Sequence, residues 1–347
     1  MLTILLFLKW LFRKRGKYIV KAYTSNPELA TIKPGWKGTP QDQNGLFIYE
    51  ENPTIISIRA VLKFMFHKNP QRQIKKTDTW RISVRKNEDW LDDPGDKIVW
   101  LGHASFFIQL SGVRLLIDPM FGKLPIVKRY SALPVPPDKF LNIDYILISH
   151  AHYDHCDKKS IKLLSANNPN AKILVGLKLD QLISKWVKNP ILTAGWYQQY
   201  QLDHKLTISF LPSRHWANRN PFDGNTTLWG SFMIQFAGRC IYFGGDSGRG
   251  SHFKTIGTLF PKTDVALIGA GAYAPGWFMG QHHQDPYDAV NAFNAMGAQT
   301  MIPFHYGTFD SADEPMSEPE IILNQLNEKG SINGDLKILE LGEVFTV

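Results

Sequence analysis

Nine residues constrain this chain more than any other stretch: Ser149-His150-Ala151-His152-Tyr153-Asp154-His155-Cys156-Asp157. They follow Ile143-Asp144-Tyr145-Ile146-Leu147-Ile148, an apolar run that reads as a buried strand. A strand that stops at such a cluster sends its side chains into the loop beyond its carboxyl end. His150 and His152, two apart, project to one side while the chain is still extended. Once the loop turns, Asp154 and His155 reach a second point a few ångströms away. Imidazole and carboxylate donors at this spacing suit metal ligation, and one short loop can serve two ions.

The remaining ligands should come from other strand ends. His215 follows Ser209-Phe210-Leu211-Pro212-Ser213-Arg214, Asp246 follows Ile241-Tyr242-Phe243-Gly244-Gly245, and His305 follows Met301-Ile302-Pro303-Phe304. A single His or Asp beyond a strand is commonplace. Joined to the first loop, the set supplies His150, His152 and His215 to one ion and Asp154, His155 and His305 to the other, with Asp246 bridging. Each ion keeps an open position, which is a feature of catalytic rather than structural sites.

The charge is unevenly placed. Residues 1–100 hold 18 Lys/Arg against 10 Asp/Glu, so the whole net charge of +8 lies there. An anionic partner surface is expected, membrane or nucleic acid. Met1 to Phe12 is apolar apart from Lys9 and runs into Arg13-Lys14-Arg15-Gly16-Lys17. It is shorter than the roughly 20 residues of a spanning helix, and its charges follow the apolar run rather than precede it as in a signal peptide. Residues 1–23 therefore read as a helix lying in the membrane interface. Basic residues interleaved with Leu and Phe favour a peripheral membrane location over nucleic acid.

Residues 24–96 read as an arm, rich in Pro, Gly and Asn at first and then carrying an amphipathic helix over 55–66. From residue 97 to 347 short strands alternate with helices. Strands are expected at 97–101, 105–110, 113–117, 172–175, 205–211, 231–236, 239–244, 265–269 and 300–303. Helices are expected at 161–166, 177–187, 252–260, 286–296 and 318–328. This alternation in two similar halves implies an α/β fold of sheets covered by helices. Cys156 and Cys240 make no disulfide framework.

The metal loop with His215, Asp246 and His305 resembles the metallo-β-lactamase superfamily. Further motifs narrow the likeness: Trp100-Leu101-Gly102-His103-Ala104, Asp118-Pro119, His215-Trp216, Leu228-Trp229-Gly230-Ser231, Gly271-Ala272-Tyr273, Trp277-Phe278-Met279 and His305-Tyr306-Gly307-Thr308-Phe309. Together they resemble the N-acylphosphatidylethanolamine-hydrolysing phospholipase D family, from about Lys97 to the end of the chain. The resemblance implies an αβ/βα four-layer sandwich with an N-terminal extension, a dinuclear zinc centre (other divalent metals fit too) and a homodimer. It also implies that His283 sits beside the metals and contacts the substrate head group, that Asp118 supports the metal loop from behind, and that Arg219 lies near the cavity mouth. The chain departs from the family pattern in its arm and at Cys156, where a larger apolar residue is usual.

Two Zn²⁺, two carboxylates and a bridging hydroxide leave a cluster near +1. Its attraction for a phosphodiester at about 4 Å and an effective dielectric near 20 is about 4 kcal/mol. A neutral lactone gains nothing comparable. The expectation is hydrolysis of the phosphate to head-group bond of N-acylphosphatidylethanolamine or a related glycerophospholipid by attack of a metal-bridging hydroxide, giving phosphatidic acid and N-acylethanolamine. Asp154, Asp246 and His283 are the candidate catalytic residues. Trp277, Phe278, Met279 and Arg219 are the candidate substrate contacts. A lactonase, a soluble phosphodiesterase and a non-catalytic membrane-associated binding protein are the alternatives.

Overall fold

The computed structural model of the protein describes residues 19–51, 53, 58–125, 127–202, 206–220 and 222–347. The expected interface helix falls on residues outside this set but for its end, where Ala22–Thr24 forms a strand. Two seven-stranded sheets form the body. One runs, in spatial order, Val344–Thr346, Lys97–Gly102, Ser105–Leu110, Val113–Ile117, Tyr145–Ile148, Lys172–Gly176 and Ile191–Ala194. The other runs Asp335–Leu336, Thr300–Phe304, Val265–Gly269, Arg239–Phe243, Ser231–Phe236, Thr207–Leu211 and Gln198–Gln199.

The sheets face each other through aromatic side chains. Phe106 meets Phe243 and Phe304 edge to face at 6.1 and 5.5 Å, and all three are fully buried. Each such ring contributes roughly 1.5–3 kcal/mol by leaving water. Helices flank the sheets: Lys158–Asn167 packs on the turn Pro137–Lys139, which leads into the first sheet's Tyr145–Ile148, while His252–Leu259, Pro286–Met296 and Glu318–Glu328 pack with one another beside the second. The result is the expected four-layer αβ/βα sandwich.

Local chemistry explains where elements begin and end. The hairpin turn at Ser111 and Gly112 has φ of 46° and 85°, the left-handed pair of a tight two-residue turn. Asp157 caps its helix by accepting from the backbone N–H of Lys159 and Ser160, and Asp285 caps Pro286–Met296 by accepting from Asp288. Gly297, at φ 70°, ends that helix.

Three expectations need correction. The helix proposed over 177–187 shrinks to Asp180–Ile183. Leu177 still donates to Ala194 and accepts from Leu228, and Lys178 turns left-handed at φ 66°, so the chain stays tied to strands there. The arm helix is Ile58–Met65, with the expected start lying outside the described residues, and a second helix, Arg72–Thr77, follows it. Four short edge strands, Ile191–Ala194, Gln198–Gln199, Asp335–Leu336 and Val344–Thr346, carry no period of their own and form only by pairing.

The arm is a working part of the body. Asn26 donates to Thr193 O of one sheet and accepts from Gln198 Nε2 of the other, and Thr31 bridges Gln198, so the arm covers a sheet edge. Farther on, Phe64 stacks on Phe278 at 4.5 Å and Lys75 pairs with Asp310. Among the described residues no helix is long and apolar enough to cross a membrane.

Candidate metal centre

Strand ends meet at one edge of the sandwich. Asp118 follows Val113–Ile117, His150 and His152 follow Tyr145–Ile148, His215 follows Thr207–Leu211, Asp246 follows Arg239–Phe243, and His305 follows Thr300–Phe304. In the parallel parts of both sheets this is the carboxyl edge, where helix-covered sheets leave a crevice. All seven expected ligands converge there. The ligand atoms of His150, His152, His215 and Asp246 lie within 4.8 Å of one another, as do those of His103, Asp154, His155 and His305.

Asp246 faces both groups. Its Oδ2 lies 3.7 Å from His150 Nε2, 3.6 Å from His215 Nε2 and 3.1 Å from His155 Nε2, while Oδ1 lies 3.0 Å from His305 Nε2. Gly245, at φ 56°, makes this approach feasible, because a Cβ there would stand 2.7 Å from Gly230 O.

The donor set fits metal ions on a test internal to the molecule. Ser149 Oγ donates to Asp118 Oδ2, so it must accept from His150 Nδ1, 2.9 Å away. His215 Nδ1 donates to the carbonyl of His282 at 3.0 Å, and His155 Nδ1 donates to Asp118 Oδ2 at 2.7 Å. In all three rings the proton is held at Nδ1, and Nε2 presents a lone pair inward. His152 turns Nδ1 inward instead, 2.8 Å from His150 Nε2 and 3.1 Å from His215 Nε2. Three ring nitrogens at this separation have at most one proton to share. His152 Nε2, His305 Nδ1 and Asp246 Oδ1 are buried without a hydrogen bond. A cation between the rings satisfies what hydrogen bonds leave unmet.

Electrostatics agree. Burial lowers the pKa of His150 and His215 well below the usual value and that of His152 to about 4, so these rings are neutral ligands near pH 7. Burial opposes the charge on Asp154 and Asp246, but the neighbouring histidines, His155 first, hold both carboxyls ionised. Burial also opposes a charge on His155, yet Asp246 and Asp154 outweigh it and raise its pKa well above normal, so its Nε2 takes up a proton unless a metal ion displaces it. This pocket recruits positive charge.

A cavity of about 310 Å³ opens over the two groups. Asp154, Asp246, His283, Phe278 and Met279 line it, and His283 Nδ1 stands 3.8 Å from Asp246 Oδ2. Two expected substrate contacts stand beside the lining rather than in it. Trp277 is not in the lining; its indole turns outward beneath Lys63 Nζ, 4.3 Å from the ring centroid. Arg219 is likewise absent from the lining, because its Nη1 donates to the carbonyls of Ala151 and Cys156 and its guanidinium stacks on Tyr153 at 3.8 Å. It braces the metal loop from behind. Asp118 does the same from the other side, accepting from His155, Ser149 N and Ser149 Oγ.

Sequence reasoning missed His103 and His282. His103 Nε2 donates to Asp154 Oδ2 at 2.9 Å and its ring packs on His305 at 4.1 Å. It stands directly beyond the strand Lys97–Gly102, so the strand-end rule that found the others would have found it. His282 acts on His215 through its backbone carbonyl, which no side-chain motif reveals. Asp118→Asn keeps a residue type that tolerates the φ of 41° at this position. It is expected to weaken metal binding roughly 10- to 100-fold while the chain stays folded. Chelator competition measures this, and unchanged affinity would remove Asp118 from the support of the loop.

A beta-lactamase superfamily domain matches residues 113–306. The chain is 30% identical over 315 residues to N-acyl-phosphatidylethanolamine-hydrolyzing phospholipase D 1 of Caenorhabditis elegans, covering 83% of this chain and 86% of that one. It is 26% identical to a UPF0173 metal-dependent hydrolase of Aeropyrum pernix, over 72% of this chain and 96% of the other. The solved structure of Igni18, a metallo hydrolase from Ignicoccus hospitalis, superposes with a TM-score of 0.55 at 22% identity, covering 73% of this chain and 98% of that one, and so shares the fold.

Proposed function

The chain belongs to the metallo-β-lactamase superfamily as a metal-dependent hydrolase, and from that premise we propose that it is a phospholipase D acting on N-acylphosphatidylethanolamine or a related glycerophospholipid. The observation that carries this reading is Asp246 shared between two donor groups on the floor of a cavity partly walled by Phe278 and Met279. Two adjoining cationic positions favour an anionic phosphodiester over a neutral ester or lactone. Zinc is the metal proposed for both positions, since imidazole and carboxylate donors suit it.

His150, His152 and His215 would hold one ion, and Asp154, His155 and His305 the other, with Asp246 common to both. Bound there, such ions supply Lewis acidity toward a phosphoryl oxygen and toward the attacking water. The chain's own residues do the rest. Phe278 and Met279 exclude bulk water on the arm side of the cavity. His283, which burial holds neutral with a pKa near 4, faces the cavity beside Asp246 and can hydrogen-bond the head-group side of the substrate. His103 holds Asp154 in place through its Nε2–H. Water oxygen bonds to phosphorus, the bond from phosphorus to the head-group alcohol breaks, and that alcohol leaves with a proton.

At about 310 Å³ the cavity lies at the lower end of small-molecule sites. It has room for the phosphodiester and the polar part of a head group, and the acyl chains of such a lipid would lie outside it. Phospholipid vesicles, N-hexanoyl homoserine lactone and bis(p-nitrophenyl) phosphate, offered to zinc-loaded protein in ¹⁸O-water, test the assignment. Release of N-acylethanolamine with one ¹⁸O in the phosphatidic acid is expected. Turnover of the lactone alone, or ¹⁸O in the alcohol product instead, would reject it.

A further inference from the structure

The two arm helices present an apolar and basic face that the metal centre does not use. Phe66 is 80% exposed, Leu62 48% and Ile74 61%. Phe66 N–H donates to Leu62 O, so the two side chains stand one helical turn apart on the same side. Large apolar side chains grouped in this way mark an interaction surface. Between Pro53 and Thr77 the chain carries Arg59, Lys63, Lys68, Arg72, Lys75 and Lys76 and not one Asp or Glu. Arg59, Lys68, Arg72 and Lys76 are exposed.

The same segment builds the cavity wall. Phe64 stacks on Phe278, which lines the cavity, and Lys75 pairs with Asp310 beside Ser311, another lining residue. The helix that exposes Leu62 and Phe66 on one side thus packs through Phe64, on its other side, against the wall of the cavity.

We propose that residues 58–77 dock on the surface of an anionic phospholipid bilayer. Leu62, Phe66 and Ile74 enter the boundary between head groups and acyl chains, and the exposed basic side chains meet lipid phosphates. The Phe278 side of the cavity then faces the bilayer. This rests on the phospholipase reading in one respect: the acyl chains that the cavity excludes stay in that bilayer. A second copy of the chain is a poor occupant of this face, since two such faces would bring only positive charges together. Each basic residue near an anionic leaflet contributes roughly fivefold to partitioning, so several together make the docking depend on lipid charge.

Cys156 and Cys240 are buried, so Phe66→Cys in the full chain offers one site for a thiol-reactive, polarity-sensitive fluorophore. Phosphatidylcholine vesicles with 30% phosphatidylglycerol should shift its emission to the blue, and a spin label on the lipid acyl chains should quench it. Partitioning onto pure phosphatidylcholine should be at least about tenfold weaker. Adding Leu62→Ser and Ile74→Ser should weaken partitioning about tenfold again. Unchanged emission while the protein sediments with the vesicles would overturn the proposal, since another segment would then carry the binding. A blue shift on concentrating the protein without lipid would overturn it in favour of contact between copies. Because the fluorophore reports insertion without turnover, a chain that inserts but releases no phosphatidic acid would support the docking surface and count against the phospholipase reading alone.

Discussion

Asp246→Asn is expected to abolish turnover, by about 10³-fold or more, and to lower bound metal at both positions, in a protein that still folds. Removing a partner that merely orients a ligand costs roughly 10- to 100-fold. The oxygens of Asp246 face both donor groups, at 3.0 Å from His305 in one and 3.6 Å from His215 in the other. An amide at this position keeps the shape but takes away a negative charge and turns an NH₂ toward ring nitrogens. The loss of charge also removes the largest influence that raises the pKa of His155 against its burial, so the pocket as a whole holds positive charge, proton or metal, less strongly. Metal analysis beside steady-state turnover checks this. Full metal content with full turnover would dismantle the assignment of Asp246.

Gly271→Ala is expected to act through the backbone and to damage one half of the centre more than the other. A Cβ at Gly271 would stand 2.3 Å from His305 O and 2.9 Å from its carbonyl carbon. His305 already sits at φ 75° and is tied through its N–H to His103 O. It has little room to retreat, so the added methyl should displace its ring from Asp154 and His155. Overpacking of this kind costs about 1–3 kcal/mol of stability. The expected readouts are a lower denaturation midpoint, retention of roughly one metal per chain and a fall in turnover of about 10²-fold or more. Gly224→Ala, where a Cβ meets nothing within 4 Å, is the control and should match the parent protein. If both variants behave alike, the close packing behind His305 does not govern the site.

Much of the candidate centre was legible because candidate ligands placed at strand ends obey two local rules. Apolar runs such as Tyr145–Ile148 and Thr300–Phe304 mark themselves as buried strands, and polar residues directly beyond them face a common edge. His103 obeys the same rules beyond Lys97–Gly102 and was passed over because it stands alone in its turn. Trp277 and Arg219 stand beside the cavity lining rather than in it, for a reason that local rules hide. Both residue types suit a substrate site, but the partners that capture them, Lys63 for one and the carbonyls of Ala151 and Cys156 for the other, are distant in the chain.

By itself the sequence determined the alternation of strands and helices, the seven candidate ligands that converge and the uneven charge, all of which depend on neighbours a few residues apart. Only the tertiary structure decided that Asp246 reaches both donor groups, that Ser149, Asp118 and the carbonyl of His282 hold the rings' protons, and that the arm closes one side of the cavity through Phe64 and Phe278. The physical reason is the range of the forces concerned. Periodicity and turn chemistry act within a few residues. A hydrogen bond or a ring stack depends on separations of a few ångströms, here between residues as far apart as 64 and 278.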